Sequence, residues 1–300
     1  MTYKDFKEKQ IKIALNPQIE SVKRIQACFR LMNIADKESM ETIFKVLKED
    51  KCELVRHEAA FCLGETAYPP AIDVLKEVLE KDKSIVVKHE CLISLGTLAP
   101  KEVLPLIEKY IKDENFIISS SAIVAKERIN QEDFFEKKEN VLNNQGLLVS
   151  KETTKEYTKR LIDILLDKNT NRNDKIQIMF ILENIGTDEV VDAISMILEG
   201  HNCPIVKHEA AFVLGEIGSK TATHELKRLL EIEKYDVVKH EILFALGTTG
   251  RKEALKTLKK YVNYPEYIIS ESAKIAIDRI EILKTPYRGP EEFDYLNEME

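Results

Sequence analysis

Four histidine–glutamate pairs stand in register along the chain: His57-Glu58, His89-Glu90, His208-Glu209 and His240-Glu241. They use four of its six histidines. His57 to His89 is a step of 32 residues, as is His208 to His240, and each pair of the first half returns 151 residues later. The context repeats as well. Val55-Arg56-His57-Glu58-Ala59-Ala60-Phe61-Cys62-Leu63-Gly64-Glu65 reappears as Val206-Lys207-His208-Glu209-Ala210-Ala211-Phe212-Val213-Leu214-Gly215-Glu216. Looser copies run from Val87 to Gly96 and from Val238 to Gly247. Imidazole plus carboxylate, repeated at fixed spacing, is the composition of a metal site.

Helix geometry shapes how such pairs can act. Side chains at i and i+1 point about 100° apart, so one His-Glu pair is not expected to clamp an ion by itself. Neighbouring repeats stack their first helices with axes about 8–10 Å apart, which puts His57 and His89 on one concave wall. Each half could then offer two imidazoles and one or two carboxylates to one ion, and two halves would hold two ions. Imidazole with carboxylate and open positions is the pattern of non-haem iron that activates dioxygen, although zinc and manganese accept the same groups. A single such pair would read as a solvated charge cluster. Four of them, placed symmetrically in the central repeats, read as a metal site, because the flanking repeats lack the motif. Ile25-Gln26 and Ile176-Gln177 stand there instead, and Ser119–Ser121 and Ser270–Ser272 on the other side.

The elements that carry these residues are helices. Ile25, Cys28, Phe29, Leu31 and Met32 mark one apolar helical face, and Met40, Ile43, Phe44 and Leu47 a second. Leu54–Leu63 then pairs with Ala71–Leu79, Val86–Leu95 with Val103–Ile111, and a further first helix covers Ile117–Ile129. Gly64 and Gly96 close their helices, where a glycine is expected to take the left-handed cap conformation. Units of about 30 residues, each two helices and two turns, predict an all-α solenoid. The period fails over 130–156, which reads as a linker, and a helix near Tyr157–Leu166 opens the second half. The expected organisation is therefore an N-terminal lobe over 1–129, a linker over 130–156 and a C-terminal lobe over 157–300. The acidic end from Lys284 to Glu300 is expected to be loosely held.

Composition excludes several classes. With a net charge of −7 and a pI near 5.6, the surface repels phosphate backbones, so no nucleic-acid partner is expected and a cationic one is. Cys28, Cys52, Cys62, Cys91 and Cys203 form no C-x-x-C, which speaks against a thiolate site or a disulfide framework and for a reducing cytoplasm. Met1 to Leu15 is charged throughout, so no signal peptide is expected. No apolar run approaches the ~20 residues that span a bilayer, so no membrane partner is expected either. His201 and His224 lie outside the pattern and read as surface or capping residues, Cys62 and Cys91 as small core residues, and Phe61, Phe212 and Phe244 as core packing.

Four His-Glu motifs in a duplicated array of HEAT-type repeats, each running into Leu-Gly, resemble deoxyhypusine hydroxylase over essentially the whole chain. That resemblance implies an α-α superhelix of two pseudo-symmetric lobes and a cytoplasmic, monomeric di-iron monooxygenase. Its cofactors would be two Fe(II) ions, with dioxygen as co-substrate activated between the halves. Its substrate would be the deoxyhypusine side chain of the hypusine-containing translation initiation factor. It further implies metal ligands at His57, His89 and Glu90 in one half and at His208, His240 and Glu241 in the other, with Glu58 and Glu209 holding the substrate. The substrate's amines are cationic at neutral pH and suit acidic partners. The chain departs from the family at Leu92-Ile93-Ser94 and Leu243-Phe244-Ala245, where a small residue and a glutamate are usual. Glu65 and Glu216 replace the usual glutamine. All eight His and Glu positions are intact. Two other readings fit the same residues: a di-iron oxidase of another amine or lysine-derived substrate, and a non-enzymatic scaffold that binds a protein on its concave face.

Overall fold

A computed structural model describes residues 3–66, 68–98, 101–130 and 151–284. Every regular element among them is helical. The first half runs α1 (Tyr3–Ala14), α2 (Ser21–Ile34), α3 (Lys37–Glu49), α4 (Glu53–Gly64), α5 (Ala71–Lys81), α6 (Ile85–Leu98), α7 (Leu104–Tyr110) and α8 (Phe116–Ile129). The second runs α9 (Lys151–Leu166), α10 (Arg172–Glu183), α11 (Asp188–Gly200), α12 (Pro204–Ile217), α13 (Lys220–Leu230), α14 (Asp236–Thr248), α15 (Leu255–Leu258) and α16 (Tyr267–Lys284). The chain forms two compact units, one up to Ala125 that also takes the end of α16 from Glu281, the other Lys126–Ile280, so one division falls inside α8 and the other inside α16. Most of the expected linker, 131–150, and the acidic end from 285 lie outside the described residues. Residues 151–156, also read as linker, are already helical and form the start of α9.

Within each unit the repeats build two layers. First helices pack on first helices (α2 on α4, α4 on α6; α10 on α12, α12 on α14), and second helices on second helices (α3 on α5; α11 on α13). The layers follow from the residue pattern. The outer helix α5 buries only Ala71, Leu75, Val78 and Leu79, the stripe expected of a helix with one wet face. The first helix α6 is covered nearly all round, with every residue from Val86 to Gly96 buried except Lys88. Its neighbours therefore decide which of its side chains meet.

The two glycines behave differently from the expected caps. Neither has a positive φ; the left-handed glycines among the described residues are Gly186, Gly218 and Gly250. Gly64 and Gly96 instead mark places where first helices nearly touch. A Cβ on Gly64 would lie 2.8 Å from Ser94 Cβ, and one on Gly96 would lie 2.8 Å from Ala125 Cα. Because Gly96 meets backbone, the Gly96→Ala variant cannot relieve the clash by turning a side chain. Overpacking of this kind costs about 1–3 kcal/mol. Chemical denaturation should show a loss in that range for Gly96→Ala; an unchanged midpoint would contradict the close approach.

Ion pairs 26 residues apart tie successive repeats. Arg24 binds both carboxylate oxygens of Asp50 (2.8 and 3.0 Å), Arg56 those of Asp82 (2.8 and 3.1 Å), and Lys207 binds Glu233 at 2.7 Å. Each carboxylate also accepts backbone N–H groups of the following turn, as Asp50 does from Cys52 and Asp82 from Ser84. One rung is different. Lys175 is buried and donates to the carbonyls of Leu165 and Asp167, and the residue 26 positions on is His201. His201 Nδ1 still accepts from Cys203 N at 3.0 Å, so it keeps the turn but supplies no negative charge. Burial lowers its pKa, as do Lys175, Arg172 and Lys207 nearby. A depressed folded-state pKa means that the unfolded chain takes the proton first, so stability falls as pH drops below about 6.5. The His201→Asp variant should restore the rung, raise stability by about 1 kcal/mol at neutral pH and remove this loss of stability below about pH 6.5. A thermal melt unchanged or lowered at pH 7 would refute the rung.

Candidate metal centre

Helices α4 and α6 place His57 and His89 one above the other in the first unit, with ring centroids 5.9 Å apart. Glu90 joins them. Its Oε2 lies 3.5 Å from His57 Nε2 and 3.7 Å from His89 Nε2. One ligand atom from each of His57, His89 and Glu90 fits within 4.8 Å of the other two, and all three residues are buried. In the second unit, α12 and α14 repeat the stacked imidazoles and one of the two carboxylate contacts. The His208 and His240 centroids are 6.3 Å apart, and Glu241 Oε2 lies 3.3 Å from His208 Nε2.

The remaining glutamates sit on the other side of the rings. Glu58 Oε1 lies 3.2 Å from His57 Nδ1, and Glu209 Oε1 lies 3.7 Å from His208 Nδ1. Adjacent His and Glu on a helix are expected to diverge, yet His57 Nδ1 and Glu58 Oε1 meet at 3.2 Å. Each ring nitrogen of His57 faces a carboxylate, and an ionised carboxylate only accepts hydrogen bonds, so donation from Nδ1 to Glu58 is the arrangement that would leave the Nε2 lone pair for a metal beside Glu90. A cation between His57 Nε2 and Glu90 Oε2, 3.5 Å apart, would satisfy both groups. The donor set, two imidazoles and one carboxylate per unit without a thiolate, fits a borderline divalent metal.

The outer support of the other two imidazoles was not foreseen from sequence. His89 Nδ1 lies 3.1 Å from Ser121 Oγ, and His240 Nδ1 lies 2.9 Å from Ser272 Oγ. Both serines fall in segments that read as repeats lacking the motif. The signal was available, because 57, 89 and 121 form a column with a step of 32, as do 208, 240 and 272.

The two units are not identical around their carboxylates. Ser94 Oγ donates to Ala60 O at 2.9 Å and reaches Glu90 Oε1 at 3.4 Å, whereas the matching position in the second unit is Ala245. Phe244, read as core packing, stands edge-on to the His240 ring with centroids 4.7 Å apart, so it walls the site. Phe61 and Phe212 are only half-buried and pack edge-on against Phe29 and Phe180, each at 6.0 Å. Cys62 and Cys91 are buried, and burial raises both thiol pKa values, which keeps them protonated and poor ligands. His224 is exposed and pairs with Glu225. His201 closes α11 as its C-terminal cap.

Comparison with known proteins agrees with this architecture. A model of HEAT repeats matches residues 11–96 and 158–247. Deoxyhypusine hydroxylase of Candida albicans is 32% identical over 206 residues, a match that spans 63% of this chain and 64% of that protein's length. The solved structure of human deoxyhypusine hydroxylase in complex with glycerol superposes with a TM-score of 0.76 at 24% identity, over 93% of this chain and 96% of the other. At that identity the structural likeness speaks for the fold.

Proposed function

The chain belongs to the HEAT-repeat family, and on that scaffold we propose that it is a deoxyhypusine hydroxylase. The observation that carries the reading is the convergence of His57 Nε2, His89 Nε2 and Glu90 Oε2 in a buried cluster, echoed by His208 and Glu241. The resemblance of the four motifs and the similarity to the Candida enzyme support it. His57, His89 and Glu90 would hold one metal ion, and His208, His240 and Glu241 a second. As ferrous iron, the pair would supply the activation of dioxygen that hydroxylation of an unactivated C–H bond requires.

The chain's own residues do the rest. Glu58 and Glu209, each beside an imidazole but on the far side from the ligand carboxylate, are proposed to receive the cationic amines of the deoxyhypusine side chain on its translation factor. Glu58, 3.2 Å from His57 Nδ1, would hold His57 in the tautomer that presents Nε2. Phe244 and the buried apolar walls of α6 and α14 keep water from the ligands. A concave scaffold that only docked a protein would gain nothing from burying imidazoles and carboxylates together, since such burial is costly unless the groups are compensated.

The deciding experiment loads the full chain anaerobically with Fe(II), measures iron per chain, and adds dioxygen with the deoxyhypusine-bearing factor and a reductant. Mass spectrometry should show a gain of one oxygen atom on the modified lysine. Iron uptake without that product would favour another amine substrate. Absence of iron uptake would favour the scaffold.

A further inference from the structure

Ser121 and Ser272 are fully buried and lie at the same height in the two units, one repeat beyond His89 and His240. Each hydroxyl has two contacts. Ser121 Oγ donates to the carbonyl of Ile117 at 2.8 Å, and Ser272 Oγ donates to that of Ile268 at 2.5 Å. Each also meets an imidazole Nδ1, at 3.1 Å for His89 and 2.9 Å for His240. A hydroxyl has one proton to give. With that proton committed to the carbonyl four residues back, the oxygen faces the histidine as an acceptor. The ring nitrogen opposite it must then be the donor, so Nδ1 carries the hydrogen and Nε2 keeps its lone pair.

We propose that Ser121 and Ser272 are positioning residues that fix His89 and His240 in the Nδ1–H tautomer and aim Nε2 at the metal. This deepens the metal reading given above and rests on it. The device is a relay: the helix carbonyl orients the hydroxyl, the hydroxyl orients the ring, and the ring presents its lone pair. It differs from the support of His57, where a carboxylate performs the same task. A neutral acceptor leaves the His89 and His240 rings less electron-rich than a carboxylate would, so within the first unit His57 and His89 are inequivalent ligands.

The test uses the full chain with Ser121→Ala, Ser121→Thr and the matching changes at Ser272, with Ser120→Ala as a buried control. Nitrogen-15 imidazole correlation spectra of the metal-free protein report the tautomer. Competition with a chromophoric chelator under anaerobic conditions reports Fe(II) affinity. In Ser121→Ala the His89 ring should acquire an Nε2–H population, and affinity at that position should fall on the order of 10- to 100-fold. Ser121→Thr retains a hydroxyl able to bond the same carbonyl and should restore both readouts. Ser120→Ala should change neither. Spectra of Ser121→Ala with His89 in the wild-type tautomer would overturn the proposal, as would Ser121→Thr matching Ser121→Ala in both readouts. A wild-type chain that takes up no iron would instead sink the metal reading, while the metal-free spectra still decide the role of the serines.

Discussion

The His89→Ala variant is expected to lose one of the two proposed metal equivalents and the proposed hydroxylase activity while keeping its fold. His89 is fully buried, it is one of only two imidazoles in its unit's cluster, and its Nε2 lies 3.7 Å from Glu90 Oε2. Loss of an outer hydrogen-bond partner costs roughly 10- to 100-fold in metal affinity, and loss of a ligand itself should exceed that. Iron per chain should fall from about two towards about one, because each duplicated unit is proposed to hold its own ion. His240→Ala should mirror this in the second unit. Turnover should vanish in both, since the proposed hydroxylation uses the two ions together. Full iron content with wild-type turnover in either variant would remove the assignment. Circular dichroism of the apo proteins separates this from misfolding: the helical signal should be unchanged.

Much of this arrangement is legible in the sequence. Repetition made it so. A residue type that recurs every 32 positions must recur on the same face of stacked helices, and burial of α4, α6, α12 and α14 follows from their near-continuous apolar text. Helix positions were accordingly close, as with Ala71–Leu79 expected and Ala71–Lys81 observed. What failed to read from sequence depended on contacts at single-ångström scale. A glycine near a helix end can serve a left-handed cap or a close approach, and only the position of Ala125 beside Gly96 decides between them. The serine column escaped notice because serine carries no chemistry by itself. Ser121 matters only through its distance to His89. Likewise nothing in His57-Glu58 as text says that the carboxylate turns back to Nδ1.

That contact sharpens what the four glutamates should do when changed. Glu90 Oε2 stands 3.5 and 3.7 Å from the Nε2 atoms of His57 and His89, and Glu241 Oε2 stands 3.3 Å from that of His208. Glu90→Ala and Glu241→Ala should therefore each cost one metal equivalent. Glu58 and Glu209 lie on the Nδ1 side, and their charge is proposed to meet the cationic substrate. Alanine at Glu58 would remove both that charge and the acceptor that orients His57, so it mixes two effects. Glutamine separates them: its amide oxygen can still accept from Nδ1, and it carries no charge. Glu58→Gln and Glu209→Gln should keep iron within about twofold of wild type, because the tautomer is preserved. Substrate affinity should weaken by the loss of a charge-assisted hydrogen bond, on the order of 1.5–3 kcal/mol, or roughly ten- to a hundredfold. Glu58→Ala should show that loss plus a partial drop in iron. Glu209→Ala should lose less iron than Glu58→Ala, since its carboxylate stands 3.7 Å from His208 rather than 3.2 Å. Iron per chain and substrate affinity, measured on all six variants in one series, decide the matter. If Glu58→Gln and Glu209→Gln shed as much iron as Glu90→Ala and Glu241→Ala, all four carboxylates are metal ligands and the cationic substrate is held by other groups.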